Sequence, residues 1–135
     1  MKHRPNILLL GDDAARMARM RETLSRTARV ARAEDIPQAL QRLAANDFET
    51  VFSDWRFHCG TWRDALKSIG ELYPDMPVIV VGDSDGLKRG SPEWMEAIEA
   101  GAFDLLPPNH RDFEALSLLE QAVASAQARA MRAIA

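Results

Sequence analysis

The sequence predicts an α/β domain: a five-stranded, doubly wound parallel sheet with helices on both faces. Three observations predict it. Short strand-like runs alternate five times with stretches of helical periodicity. Two of those runs, NILLLG at 6–11 and PVIVV at 77–81, are almost wholly apolar, as strands covered on both faces must be. Right-handed crossovers between successive parallel strands then place helices on both sides. At 135 residues, 47% apolar and 27% charged, the chain can bury one core and has no room for a second domain.

The elements follow in order. Asn6–Gly11 is too brief for a helix and reads as the first strand. Met17, Met20 and Leu24 recur at helical spacing among arginines, which predicts a helix over 14–28 with Arg16, Arg19 and Arg26 on its solvated face. RVARA at 29–33 is a weaker strand. Asp35 stands before Ile36-Pro37, a helix start with proline in the first turn, and Ala39, Leu40 and Leu43 form the buried stripe. Phe48–Ser53 is the third strand, and Ala65, Leu66, Ile69 and Leu72 mark a helix that stops before Pro74.

Pro77 opens the fourth strand, where its missing N–H matters least. Ser91-Pro92-Glu93 caps a fourth helix carrying Trp94, Met95 and Ile98, and Gly101 ends it. Phe103–Leu106 is the fifth strand. Phe113, Leu116, Leu119 and Val123 line a long last helix whose alanine-rich end, 127–135, is expected to be a linker or tail.

Composition narrows function by exclusion. Net charge is −3 and the basic residues are scattered, so no nucleic-acid footprint is expected. The apolar runs are too short to span a membrane and no signal peptide precedes the first, so a cytoplasmic setting is expected. Cys59 is the only cysteine, which rules out an internal disulfide.

Ligands of open parallel sheets bind beyond the carboxyl ends of the strands. Asp12 and Asp13 follow the first strand and Asp54 closes the third, so three carboxylates are expected at one edge. Crowded carboxylates repel unless a cation neutralises them, and oxygen-only ligands suit Mg²⁺. An aspartate beside such an ion can act as an in-line nucleophile and become an acyl phosphate. Taken singly, each acid is explained as well by a helix cap or a turn.

The chain resembles the receiver domains of two-component response regulators over nearly its whole length. The likeness lies in ILLLGDDAARMARM, VARAEDIPQALQRLAANDFETVFSDW, MPVIVVG and AIEAGAFDLL, in that order and spacing. It implies a flavodoxin-like (βα)5 fold with strand order 2-1-3-4-5. It also implies Asp54 as phosphoacceptor, and Asp12, Asp13, Asp54 and the backbone carbonyl of Arg56 as Mg²⁺ ligands. A histidine kinase would be the phosphodonor, and catalysis would be limited to self-phosphorylation. The docking or homodimer face would comprise the fourth helix, fifth strand and fifth helix, here Trp94–Glu99, Leu105 and the exposed side of 111–130.

Three positions depart from the family pattern. Gly82 stands where a Thr or Ser hydroxyl would bond the phosphoryl group. Leu105 replaces the aromatic that moves on activation, and Pro107 or Pro108 replaces the phosphate-binding lysine. Each lost contact is worth about 1.5–3 kcal/mol. Ser84 or Lys88, in the long segment 83–91, is a candidate substitute. Two functions follow as expectations: a divergent receiver phosphorylated on Asp54, or a pseudo-receiver that dimerises or docks without phosphate. A hydrolase or flavin-binding reading fares poorly, because no Gly-rich phosphate loop follows the first strand.

His58-Cys59 lacks the spacing of a metal cluster and reads as a loop pair. His110 is explained by a polar turn. Trp55, next to Asp54, is positioned as a fluorescence reporter, while Trp62 and Trp94 either pack inside or mark a partner surface.

Overall fold

The computed structural model describes residues 4–83 and 90–134, so Ser84 and Lys88 lie outside the described residues. Its elements are β1 (Asn6–Leu10), α1 (Ala14–Leu24), β2 (Arg29–Ala33), α2 (Ile36–Ala45), β3 (Thr50–Asp54), β4 (Arg56–Phe57), β5 (Gly60–Thr61), α3 (Trp62–Leu72), β6 (Val78–Val81), α4 (Pro92–Glu99), β7 (Asp104–Leu106) and α5 (Asp112–Ile134). β2-β1-β3-β6-β7 form one parallel sheet. With the β4-β5 hairpin set aside, this is the predicted order 2-1-3-4-5.

Successive residues of a strand point to opposite faces, and here both faces are covered. Leu8, Leu10, Val51, Val78, Val80 and Leu105 pack against α2, α3 and α4 through Ala39, Leu43, Leu66, Ile69 and Ala97. Ile7, Leu9, Phe52, Ile79, Val81 and Leu106 pack against α1 and α5 through Met17, Met20, Leu24, Leu119 and Ala122. The two apolar layers explain why the central strands read as continuous runs rather than as alternating ones.

Caps fix the helix starts. Asp13, Asp35 and Ser91 accept the backbone N–H three residues on, at the head of α1, α2 and α4. Asp64 reaches back to the Thr61 N–H at 2.9 Å and anchors α3.

The structure departs from the sequence reading in several places. α1 ends at Leu24 rather than 28: the Leu24 carbonyl accepts both Thr27 and Ala28 N–H groups, closing a turn that feeds β2. β3 runs through Asp54, which is therefore a strand residue. The β4-β5 hairpin was not anticipated. His58 and Cys59 form its two-residue turn, with Cys59 at φ 60°. The stretch 127–134 continues α5, and Arg129 bonds the Asp75 carbonyl at 3.2 Å. No helix among the described residues is long and apolar enough to cross a membrane.

Candidate functional site

The carboxyl ends of β1, β3 and β6 converge on one pocket. Leu10 pairs with Ser53, and Asp54 with Val81. The next residue of β1's chain, Gly11, therefore comes against Asp54. A Cβ on Gly11 would meet the Asp54 Cβ at 3.2 Å and the end of Met17 at 2.8 Å, so glycine here relieves the contact between the two strand ends. Asp54 is 3% exposed.

One oxygen of its carboxylate is already engaged. Oδ1 accepts the Trp55 N–H at 2.9 Å and the Arg16 guanidinium at 3.0 Å. The same Arg16 nitrogen donates to the Gly82 carbonyl at 3.1 Å, so one side chain ties α1 to the ends of both β3 and β6. Burial pushes the Asp54 carboxyl above its ordinary 3.8; Arg16 and the Trp55 N–H pull it back, and the charges of Asp13 and Asp83 add to the rise.

The other acids have separate duties. Asp13 Oδ1 caps α1 by accepting the Arg16 N–H at 3.1 Å. Asp83 Oδ2 faces the Arg56 Nε at 3.4 Å. Asp12 is exposed. Arg56 opens β4, paired with Thr61, and its side chain is largely solvated. Among the described residues, no three His, Cys, Asp or Glu side chains are grouped as a metal ion requires. With Oδ1 of Asp54 held by a guanidinium and Oδ1 of Asp13 spent on a cap, the donors as arranged do not fit the Mg²⁺ that the resemblance implied.

Placing Arg16 on the solvated face of α1 was wrong. Helical side chains lean toward the helix N-terminus, so a first-turn residue covers the surface just beyond that end. For α1 that surface is the pocket, and Arg16 turns into it with 24% of its side chain exposed. Arg26 lies past the end of α1 and pairs with Asp112 at 3.0 Å. Arg19 is exposed, as expected.

Two of the three divergent positions, Gly82 and Pro108, adjoin the Arg16 side chain of the pocket. Gly82 is buried and bonded through its N–H to Leu106 O at 2.8 Å. Leu105 is packed in the core at 3% exposure and offers nothing to a docking face. Pro108 lines a narrow cleft with Arg16, Arg19 and His110. His110 sits in the expected turn, its backbone N–H and its Nδ1 both against the Pro107 carbonyl.

Beside the pocket, Trp55 packs on the buried Trp62 with ring centroids 5.3 Å apart. The Arg63 guanidinium lies 4.4 Å over Trp62 and bonds Glu96 of α4. Trp62 is thus a core residue, and the hairpin stands next to the acidic site.

Among solved structures, the chain is similar to the signal receiver domain of an HD domain-containing protein from Pseudomonas fluorescens Pf-5. The two share 25% identity at TM-score 0.80, covering 98% of this chain and 96% of that one. The HemR receiver domain of Leptospira biflexa, in its non-phosphorylated form, is 27% identical at TM-score 0.74 over 89% and 94% of the two chains. Among curated proteins, the DNA-binding transcriptional regulator NtrC of Proteus hauseri is 29% identical over 119 residues, or 87% of this chain; the chain spans about a quarter of that relative's length, 24%. No protein-family model matches. Sheet order, the acid at the end of β3 and these relatives agree: in fold and in sequence the chain is similar to receiver domains of the response regulator type, with a divergent acidic pocket.

Proposed function

We propose that this receiver domain relays signals by protein contact with its acidic pocket held closed, and that Asp54 serves in that state as a buried ion-pair partner rather than as a phosphoacceptor. One observation carries the reading: the Asp54 carboxylate is 3% exposed, with Oδ1 taken by Arg16 and by the Trp55 N–H. In-line attack needs an open approach to the carboxylate, and here the Arg16 guanidinium stands against it. The surroundings lend the same support. Gly82 brings no hydroxyl, Pro107 and Pro108 bring no ammonium, and Leu105 is fixed in the core, so a phosphoryl group would lack its usual contacts and its usual readout.

The docking surface on this reading is made of α4 and α5, where Met95 and Phe113 are exposed apolar residues; Leu105 is not part of it. The setting is cytoplasmic, the partner is a protein, and no catalytic turnover is involved. By analogy with the DNA-binding transcriptional regulator of which the chain spans about a quarter, 24%, the relayed signal would bear on transcription.

The phosphoacceptor reading has one observation in its favour. Arg16 is partly exposed at the pocket mouth, and guanidinium–phosphate pairing is strong, so a swing of this side chain would both free Asp54 and meet the phosphoryl group. Incubation with acetyl phosphate, or with beryllofluoride and Mg²⁺, separates the two. The closed-pocket reading expects no mass increase at Asp54 and no change in spectrum or in oligomeric state; an adduct that disappears in Asp54→Asn overturns it and restores a histidine kinase as the phosphodonor.

A further inference from the structure

A buried carboxylate that feels the charge of other acids needs a cation, and the pocket supplies its own. The charges of Asp13 and Asp83 both act on Asp54, which is buried. Arg16 meets Asp54 at 3.0 Å, and Arg56 meets Asp83 at 3.4 Å. Asp13 spends a carboxylate oxygen on the backbone N–H of Arg16 itself, fixing the helical turn from which that guanidinium reaches into the pocket. An acid that the resemblance assigned to a metal thus holds the metal's replacement in position. The second hydrogen bond of Arg16, to the Gly82 carbonyl at 3.1 Å, fills the gap between the ends of β3 and β6.

We infer that Arg16 is the resident cation of this pocket: its guanidinium occupies the electrostatic place of a divalent ion, so the site is closed to Mg²⁺ and its folded arrangement does not depend on one. The inference rests on the closed-pocket reading and gives its cause. Three physical points carry it. A guanidinium stays protonated at every relevant pH, so its charge is permanent. A divalent ion placed against Asp54 would lie within a few ångströms of that charge and be repelled by it. Mg²⁺ also demands near-octahedral oxygen ligation, whereas the Asp54 oxygen that would begin such a shell already accepts two N–H donors. Arg16 is accordingly a specificity-determining residue: it selects a metal-free pocket.

The test titrates Mg²⁺, and separately Mn²⁺, into the intact chain. The readouts are Trp55 fluorescence and Mn²⁺ broadening of the Trp55 and Gly82 amide signals. The unmodified chain should show no saturable response at about 10 mM, above the millimolar range in which weak protein sites for divalent ions fill. Arg16→Gln keeps a donor for the Gly82 carbonyl but removes the charge. It should respond saturably, with at least about 100-fold tighter binding than any residual affinity of the parent, and adding Asp54→Asn should abolish the response. Arg16→Lys, which keeps the charge, should behave as the parent.

A saturable, Asp54-dependent Mg²⁺ response in the unmodified chain overturns the inference, as does an Arg16→Gln variant that folds and stays silent. If Arg16→Gln does not fold, the Mn²⁺ broadening of the parent decides alone. Failure here is separable from failure of the functional reading. Metal binding without a phosphoryl adduct sinks only the resident-cation inference, and an Asp54 adduct formed in the presence of a chelator sinks only the closed-pocket reading.

Discussion

The Arg16 guanidinium lies 3.0 Å from the Asp54 Oδ1 and 3.1 Å from the Gly82 carbonyl oxygen, bridging α1 to the ends of β3 and β6. This contact replaces a solvated arginine and an ion-binding acid with a single buried pair. Removing the arginine leaves a buried carboxylate without a partner, whereas removing the acid leaves a guanidinium that already reaches water, so the two sides of the pair are not equally costly to break.

Arg16→Ala should therefore destabilise the fold by about 2 kcal/mol at neutral pH. The value lies below the 3–5 kcal/mol typical of breaking a fully buried pair, because part of the arginine is in water. In the Asp54→Asn background the same change should cost well under half as much, a coupling of about 1 kcal/mol or more. Urea denaturation of the four proteins completes the cycle. Additive losses would mean that Arg16 stabilises through packing or through Gly82 alone.

Asp54→Asn on its own should stabilise the domain above the ordinary aspartate range. Burial, the largest influence, holds the folded carboxyl above 3.8, so between its unfolded and folded values the native state carries the extra proton. Stability then falls as pH rises through that window, and the penalty is complete above the folded value. The advantage of Asp54→Asn over the parent should accordingly be absent in strong acid, grow with rising pH and level off above the folded value. Melting temperatures of both proteins across pH would show it; an advantage for the parent that grows toward neutral pH would mean that Arg16 outweighs desolvation.

How much of this was legible beforehand divides by the kind of physics involved. The five parallel strands and their helices could be read because burial on two faces leaves continuous apolar runs, as in NILLL and VIVV, and because Asp35 and Ser91 announce helix starts with their side chains. Asp54 at the end of β3 was readable for the same reason. Arg16 was not, since helical periodicity sorts residues into inner and outer faces and is silent about the axial direction. Its signal was there: an arginine three residues after the Asp13 cap, in the turn that overhangs the strand ends. The β4-β5 hairpin escaped because two-residue strands carry no period, and its turn places a non-glycine residue at positive φ.

Gly11→Ala should test how tightly the pocket floor is packed. The added methyl would lie 2.8 Å from Met17 Sδ and 3.2 Å from Asp54 Cβ. The end of Met17 is flexible and can yield, whereas Asp54 is held by Arg16 and Trp55. The expected loss is about 1 kcal/mol, at the lower end for overpacking. Combining it with Met17→Val, which clears the thioether, should cost less than the sum of the two changes. A simple sum would place the strain on the Asp54 side instead.

Cys59 offers the opposite case, a position at which a substitution should help. It sits at φ 60° in the turn between Phe57 and Gly60, and a side chain in the left-handed region costs about 1–2 kcal/mol relative to glycine. Glycine also brings a more flexible unfolded chain, a penalty of about 0.5–1 kcal/mol. Cys59→Gly should leave a net gain of roughly 0.5 kcal/mol. Cys59→Ala keeps the Cβ and should stay at the parent's stability, which makes it the control for loss of the exposed thiol. Cys59→Val should fall below both, because β-branching aggravates the same clash. Equal gains in the glycine and alanine variants, measured by urea denaturation under reducing conditions, would assign the effect to sulfur chemistry and leave the hairpin without measurable backbone strain.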